Sequence, residues 1–199
     1  MRIHHLTHIE NLDSILKNGL MSRNELKNIG CDYKDTANIE IIEKRGGLEN
    51  NIPFHIDYLQ KKYGIPYNWS VLKVNKKENM IFLNCATESL LLNKITLNYF
   101  LYHPISKNNH EFKNLDEFIK NLRKEEEKLP KYNGGLNYKD REVQQFLMSE
   151  ILIEDRLNID FSWKIIVCSE KQSKKVKKIL KNNNIDVEIS IDEYNYFYR

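Results

Sequence analysis

The sequence predicts an α+β domain, and three observations carry that prediction. Strand-like and helix-like runs are interspersed along the 199 residues without regular strand–helix–strand alternation, which argues against a doubly wound parallel sheet. Composition is that of a globular chain, 41% hydrophobic and 30% charged, so a disordered polymer is excluded and the chain is long enough for one sizeable core. No internal repeat, low-complexity linker or composition shift divides the chain, so residues 1–199 read as a single domain.

The elements follow in order. Ile3 to Leu6 is a strand. Residues 11–18 form a helix with Leu12, Ile15 and Leu16 on one face, Asn11 as its cap and Gly19 as its stop. Residues 38–44 are a short helical candidate with Ile39 and Ile42 on one side, broken by Gly46-Gly47. Ile52-Pro53-Phe54-His55-Ile56 is a strand. Proline cannot donate to a ladder, so Pro53 places that strand at an edge or a strand start. Residues 69–74 and 80–83 alternate like strands around the polar stretch 75–79, a hairpin pattern. Asn114 caps a helix to residue 128, with Glu117 at the capping-box position and Leu115, Phe118, Ile119 and Leu122 as its apolar stripe. Residues 138–148 are amphipathic through Val143, Phe146 and Leu147. Residues 150–153 and 163–168 are strands. Ser169-x-x-Gln172 opens a lysine-rich helix whose buried side is Val176, Ile179 and Leu180, and residues 186–191 and 196–198 close the chain as strands.

Net charge is only +3, which permits an anionic partner without demanding one. The charge is uneven: Lys171, Lys174, Lys175, Lys177, Lys178 and Lys181 crowd one segment, either a solvated helix face or a phosphate-facing patch. Cys31, Cys85 and Cys168 are odd in number and unpatterned, so neither a disulfide framework nor a zinc site is expected. No apolar run approaches a membrane span and no signal-peptide core follows Met1, so the expected location is the cytoplasm.

No phosphate loop, dinucleotide-binding glycine fingerprint, nucleophile elbow or His-Glu-x-x-His is present. The candidate chemistry lies instead in the opening Ile3-His4-His5-Leu6-Thr7-His8. On a strand, His4 and Leu6 face one way and His5 and Thr7 the other, so His5 and Thr7 present side by side, with His8 at the turn. By themselves they read first as a polar strand end bonding its own loop. No cysteine or carboxylate completes a ligand set beside them, so no metal is expected.

His5-x-Thr7-His8-Ile9-x-Asn11-Leu12-x-x-Ile15-Leu16-x-x-Gly19-Leu20 resembles the opening of the DarT family of NAD+-consuming DNA ADP-ribosyltransferase toxins. Ile52-Pro53-Phe54-His55 is similar to the family's Val-Pro-Phe-Tyr strand, and Glu43-Lys44-Arg45 to a Glu-Arg-Arg stretch whose last arginine is important for catalysis. Ser149-Glu150-Ile151-Leu152-Ile153 resembles the family's Ala-Glu-Phe-Leu-Val, where the glutamate is catalytic. The resemblance implies an ADP-ribosyltransferase-like split, mixed or antiparallel sheet with flanking helices. It implies Glu150 and Arg45 as catalytic residues, and His5, Thr7, His8 and Asn11 around NAD+ as co-substrate. It also implies transfer of ADP-ribose to a nucleobase of single-stranded DNA, a toxin role and a macrodomain antitoxin. The chain departs from the family in the segment Asp57 to Tyr67, read as a divergent loop, and at Leu147-Met148, where the family has Arg-Gln. Those departures keep open an RNA or protein target, the RNA 2′-phosphotransferase-like reading, and a non-catalytic NAD+- or nucleic-acid-binding module.

Overall fold

A computed structural model describes residues 1–36, 46–132, 135–154 and 156–197. In chain order the described elements are β1 (Arg2–His8), a 3-10 turn (Ile9–Asn11), α1 (Leu12–Asn18), β2 (Leu20–Met21), α2 (Arg23–Asn28), β3 (Asn51–Ile56), α3 (Asp57–Tyr63) and α4 (Pro66–Val74). Then come β4 (Met80–Ala86), α5 (Thr87–Leu92), β5 (Asn98–Leu101), β6 (His110–Phe112), α6 (Leu115–Lys128), β7 (Lys131–Tyr132), β8 (Gly135–Leu136) and α7 (Arg141–Leu147). The chain closes with β9 (Glu150–Glu154), β10 (Arg156–Leu157), β11 (Lys164–Val167), α8 (Glu170–Asn182), β12 (Glu188–Ile191) and α9 (Glu193–Phe197).

Among the described residues eight strands form one mixed sheet in the order β12-β11-β4-β1-β3-β9-β5-β6. β11 and β12 run parallel, and the remaining neighbours pair antiparallel. Alternation along the strands divides the core. Ile3, Ile56, Leu83, Cys85, Ile151 and Ile165 pack under α1, α6 and α8, against Leu12, Phe118 and Val176. Leu6, Met80, Phe82 and Ile166 pack against Val71 of α4 and Tyr196 and Phe197 of α9. The α+β architecture agrees with the sequence reading.

Four local expectations are corrected. Residues 69–74 are helical: Pro66 sits in the first turn of α4, where its missing N–H costs nothing, and Val71 is buried on the sheet. The segment Asp57 to Tyr67 is not a loop, because α3 and the start of α4 occupy it. Residues 196–197 end helix α9 rather than a strand, since Asp192 Oδ1 accepts from Asn195 N at 3.1 Å and opens a helical turn. Asn11 makes no side-chain cap; His8 takes that task, its Nδ1 accepting from Glu10 N one turn earlier. The helical candidate at residues 38–44 lies outside the described residues.

Candidate active site

The site begins where the sheet parts. β1 pairs with β4 over its whole length, from Arg2↔Ala86 to His8↔Met80, but with β3 only at Ile3↔Ile56 and His4↔His55. Beyond His4 the two strands diverge. This explains why Pro53, read from the sequence as marking an edge or a strand start, is tolerated near the start of a strand inside the sheet: it lies at a gap where no ladder bond to β1 is needed. The Pro53 carbonyl accepts instead from His5 Nδ1 at 2.9 Å across the split. That bond places the proton on Nδ1 and leaves Nε2 as an acceptor. Burial lowers the His5 pKa, opposed by the Pro53 carbonyl, so the ring is held neutral.

The split opens into a cavity lined by His5, Thr7, Asn11, Arg23, Pro53 and Tyr67, among others. Asn11 Nδ2 donates to Thr7 Oγ1 at 3.1 Å and to Lys34 O at 3.0 Å, while its Oδ1 accepts from Lys34 N at 2.9 Å. Asn11 thus ties the end of β1 to the 31–36 segment. His8, also expected around NAD+, is not among the residues that line the cavity; its Nδ1 serves the 3-10 turn. Gly19, at the cavity wall, has φ +86°, and a Cβ there would lie 2.9 Å from Arg156 Cγ and 3.0 Å from the Leu157 carbonyl. Arg23 escapes the sequence reading. It sits at the start of α2, its Nε and Nη2 donating to the two oxygens of Asp35 at 2.9 and 3.0 Å. A local signal for it does exist: Ser22-x-x-Glu25 is a helix start, and Ser22 Oγ accepts from Glu25 N at 3.3 Å.

Glu150 opens β9, paired with His55 on one side and Phe100 on the other. Directly paired residues project to one face, so Asn84, His4, His55 and Glu150 form a cross-strand row. Glu150 is 1% exposed, so it is a buried carboxylate rather than a surface one. Its surroundings are fixed by Ser149, whose Oγ donates to Phe146 O at 2.6 Å and accepts from Tyr102 N at 2.9 Å. That contact sets His103 beside the carboxylate. Its Nδ1 accepts from Ile105 N at 3.3 Å, which leaves the ring proton on Nε2, 3.7 Å from Glu150 Oε1. His103 has no sequence signal, because only the β5–β9 pairing brings it near.

Tyr67 joins the two halves. It lines the cavity, and its ring lies 5.4 Å from that of His55. Burial raises its hydroxyl pKa, Asp35 and Glu150 adding to the rise and Arg23 opposing it. Of the residues singled out by the sequence, the structure brings His5, Thr7 and Asn11 to one cavity and Glu150 to the far side of Tyr67 and His55. Arg45 lies outside the described residues. Among the described residues no group of three His, Cys, Asp or Glu is arranged to hold a metal, and no helix is long and apolar enough to cross a membrane.

A split sheet that opens a polar cavity, with a buried carboxylate on the strand beyond, is the architecture of an ADP-ribosyltransferase. The fold is similar to that of Thermus sp. 2.9 DarT in complex with ADP-ribosylated single-stranded DNA, with TM-score 0.79 and 19% identity over 98% of this chain and 95% of that one. It is similar to the same organism's DarT in complex with NAD+, with TM-score 0.74 and 19% identity over 98% and 96% of the two chains. Thermosipho africanus DarTG in complex with ADP-ribose gives TM-score 0.70 and 15% identity over 99% of this chain and 51% of that one. No curated protein matches the chain. The family model of DarT, described as single-stranded-DNA thymidine ADP-ribosyltransferase, matches residues 4–198, and the chain belongs to that family. It is an NAD+-dependent ADP-ribosyltransferase that modifies a nucleobase in single-stranded DNA.

Proposed function

We propose that Glu150 is the catalytic carboxylate, that His5, Thr7 and Asn11 hold NAD+ in the split with His8 shaping the turn behind them, and that the acceptor is a thymidine base. The observation that supports this most is the burial of Glu150 across Tyr67 from a cavity whose polar lining includes the opening motif's His5, Thr7 and Asn11. In the reaction the bond from the ribose anomeric carbon to nicotinamide breaks, a bond to a base nitrogen forms, and that nitrogen loses its proton. Positive charge grows on the ribose as nicotinamide departs. A carboxylate held at low exposure stabilises that charge more than one in water, and needs no reorganisation as it develops. The logic is that of glycoside cleavage. His103, with its Nε2 3.7 Å from Glu150 Oε1, orients the carboxylate. Arg45 is the second catalytic candidate, its fixed charge aiding loss of the acceptor proton.

The family, and the DarTG that shares this fold, support a toxin role in the cytoplasm, countered by a macrodomain antitoxin that removes the mark. The test is to incubate the protein with NAD+ and thymidine-containing oligodeoxynucleotides. One ADP-ribose should be gained per oligonucleotide with equimolar nicotinamide release. Transfer to an oligonucleotide lacking thymidine, or to RNA in preference, rejects the proposed acceptor.

A further inference from the structure

Just past the segment in which this chain departs from its family lies an aromatic pair that the reaction chemistry does not use. Trp69, on α4, and Tyr138, three residues before α7, have ring centroids 6.5 Å apart and planes 22° from parallel. The two rings stack on one another and leave no room for a base between them, so a base would stack on the outside of the pair, as single-strand binders use exposed aromatic faces. Tyr138 is 37% exposed and Trp69 half-buried, so the pair is open to solvent.

Both rings are anchored to elements that build the Glu150 side. Tyr67, two residues before Trp69, touches His55, and Asn68 donates to His4 Nε2 at 3.2 Å. Tyr138 O accepts from Gln144 Nε2 at 2.8 Å, which fixes Tyr138 to α7, and α7 runs directly into Ser149-Glu150. Exposed cations flank the pair in the chain: Lys73 stands one helical turn from Trp69, and Lys139 and Arg141 follow Tyr138. The nearby carboxylates have other tasks, since Asp140 caps α7 and Glu142 faces the Tyr102 hydroxyl at 3.4 Å. Stacking rings interleaved with cations are what a single strand requires.

We propose that Trp69 and Tyr138 form a stacking subsite for a base flanking the modified one, with Lys73, Lys139 and Arg141 toward its phosphates. The proposal rests on the transferase reading above. It is tested with purified Trp69→Ala, Tyr138→Ala and Tyr138→Phe in transfer to a thymidine-containing oligonucleotide. Each alanine variant should raise the oligonucleotide KM by about tenfold or more while leaving the NAD+ KM within twofold, and Tyr138→Phe should behave as wild type. An oligonucleotide with an abasic site next to the target should show the same loss in wild type and little further loss in Tyr138→Ala. Tyr138 is exposed, so its variant carries the test even if Trp69→Ala melts early. An unchanged oligonucleotide KM in a folded Tyr138→Ala overturns the subsite. So does equal abasic loss in wild type and variant, or a matching rise in NAD+ KM. Absence of transfer by wild type would instead reject the transferase assignment.

Discussion

His4 and His5 are neighbours on one strand and do different work. His4 belongs to the half of β1 that is paired on both sides. It is fully buried, with Asn68 at Nε2 and Asp57 Oδ1 3.8 Å from Nδ1. Asp57 in turn accepts from Asn84 Nδ2 at 2.8 Å and from the Tyr196 hydroxyl, and Lys61 lies 2.9 Å away. That closed network joins α3, α9 and the sheet. His5 belongs to the half that has lost β3 as a partner, and it faces the cavity. One residue of register therefore separates a scaffold histidine from a site histidine. What differs is the ladder around them, not the residue type.

The contrast can be broken most directly at Glu150. Glu150→Gln keeps the size but removes the charge and turns one acceptor oxygen into a donor. Transfer is expected to fall roughly 10²-fold or more while NAD+ binding persists, as read by single-turnover kinetics and calorimetry. Near-normal turnover would move the catalytic carboxylate elsewhere. His103→Ala should cost about tenfold in kcat with little change in the NAD+ KM, and His103→Gln should recover part of it. Equal loss in both variants would mark a packing role instead.

On the cavity side, Asn11→Ala removes the tie between Thr7 and the 31–36 segment. The NAD+ KM should rise about fivefold to tenfold, and Thr7→Val, which takes away the acceptor at the same place, should act in the same direction. An unchanged NAD+ KM in both would place the dinucleotide outside the split.

The scaffold half should announce itself through pH. Burial lowers the His4 pKa from 6.5 to about 4, outweighing the attraction of Asp57. The unfolded chain therefore binds the proton first as pH falls. Stability is full above about pH 6.5 and is lost progressively toward pH 4, by on the order of a few kcal/mol for this one group. Urea midpoints measured from pH 7 to 4.5 should drop less steeply in His4→Gln than in wild type, and parallel profiles would assign the acid sensitivity to other groups. The smallest effect is expected at the lysine-rich α8. It covers β11 and β12, and β11 stands four strands from β9, roughly 19 Å away. Lys174→Glu with Lys178→Glu should shift oligonucleotide affinity less than twofold. A tenfold loss with a flatter salt dependence would give α8 a place on the DNA path.

Local chemistry wrote much of this protein into its sequence. The caps at Asn114 and Ser169, the stop at Gly19, the apolar stripe of α6 and the alternation of β1 are decided within a few residues, where side chains bond their own backbone or repeat with the element's period. The opening motif likewise disclosed that His5 and Thr7 share a face. Tertiary structure alone decided the rest. Pro53 reads as an edge or strand-start signal, and the sequence cannot show that a neighbouring strand will splay away and create an edge inside the sheet. Residues 69–74 carry an alternation that fits two periods, and packing of Val71 against Phe82 and Met80 selects the helix. His103, Tyr67 and Arg23 come to the site from three separate segments, and each is placed by pairing or packing across tens of residues. Spacing along the chain records what a residue does to its neighbours, whereas a site is made of residues whose only relation is the fold that joins them.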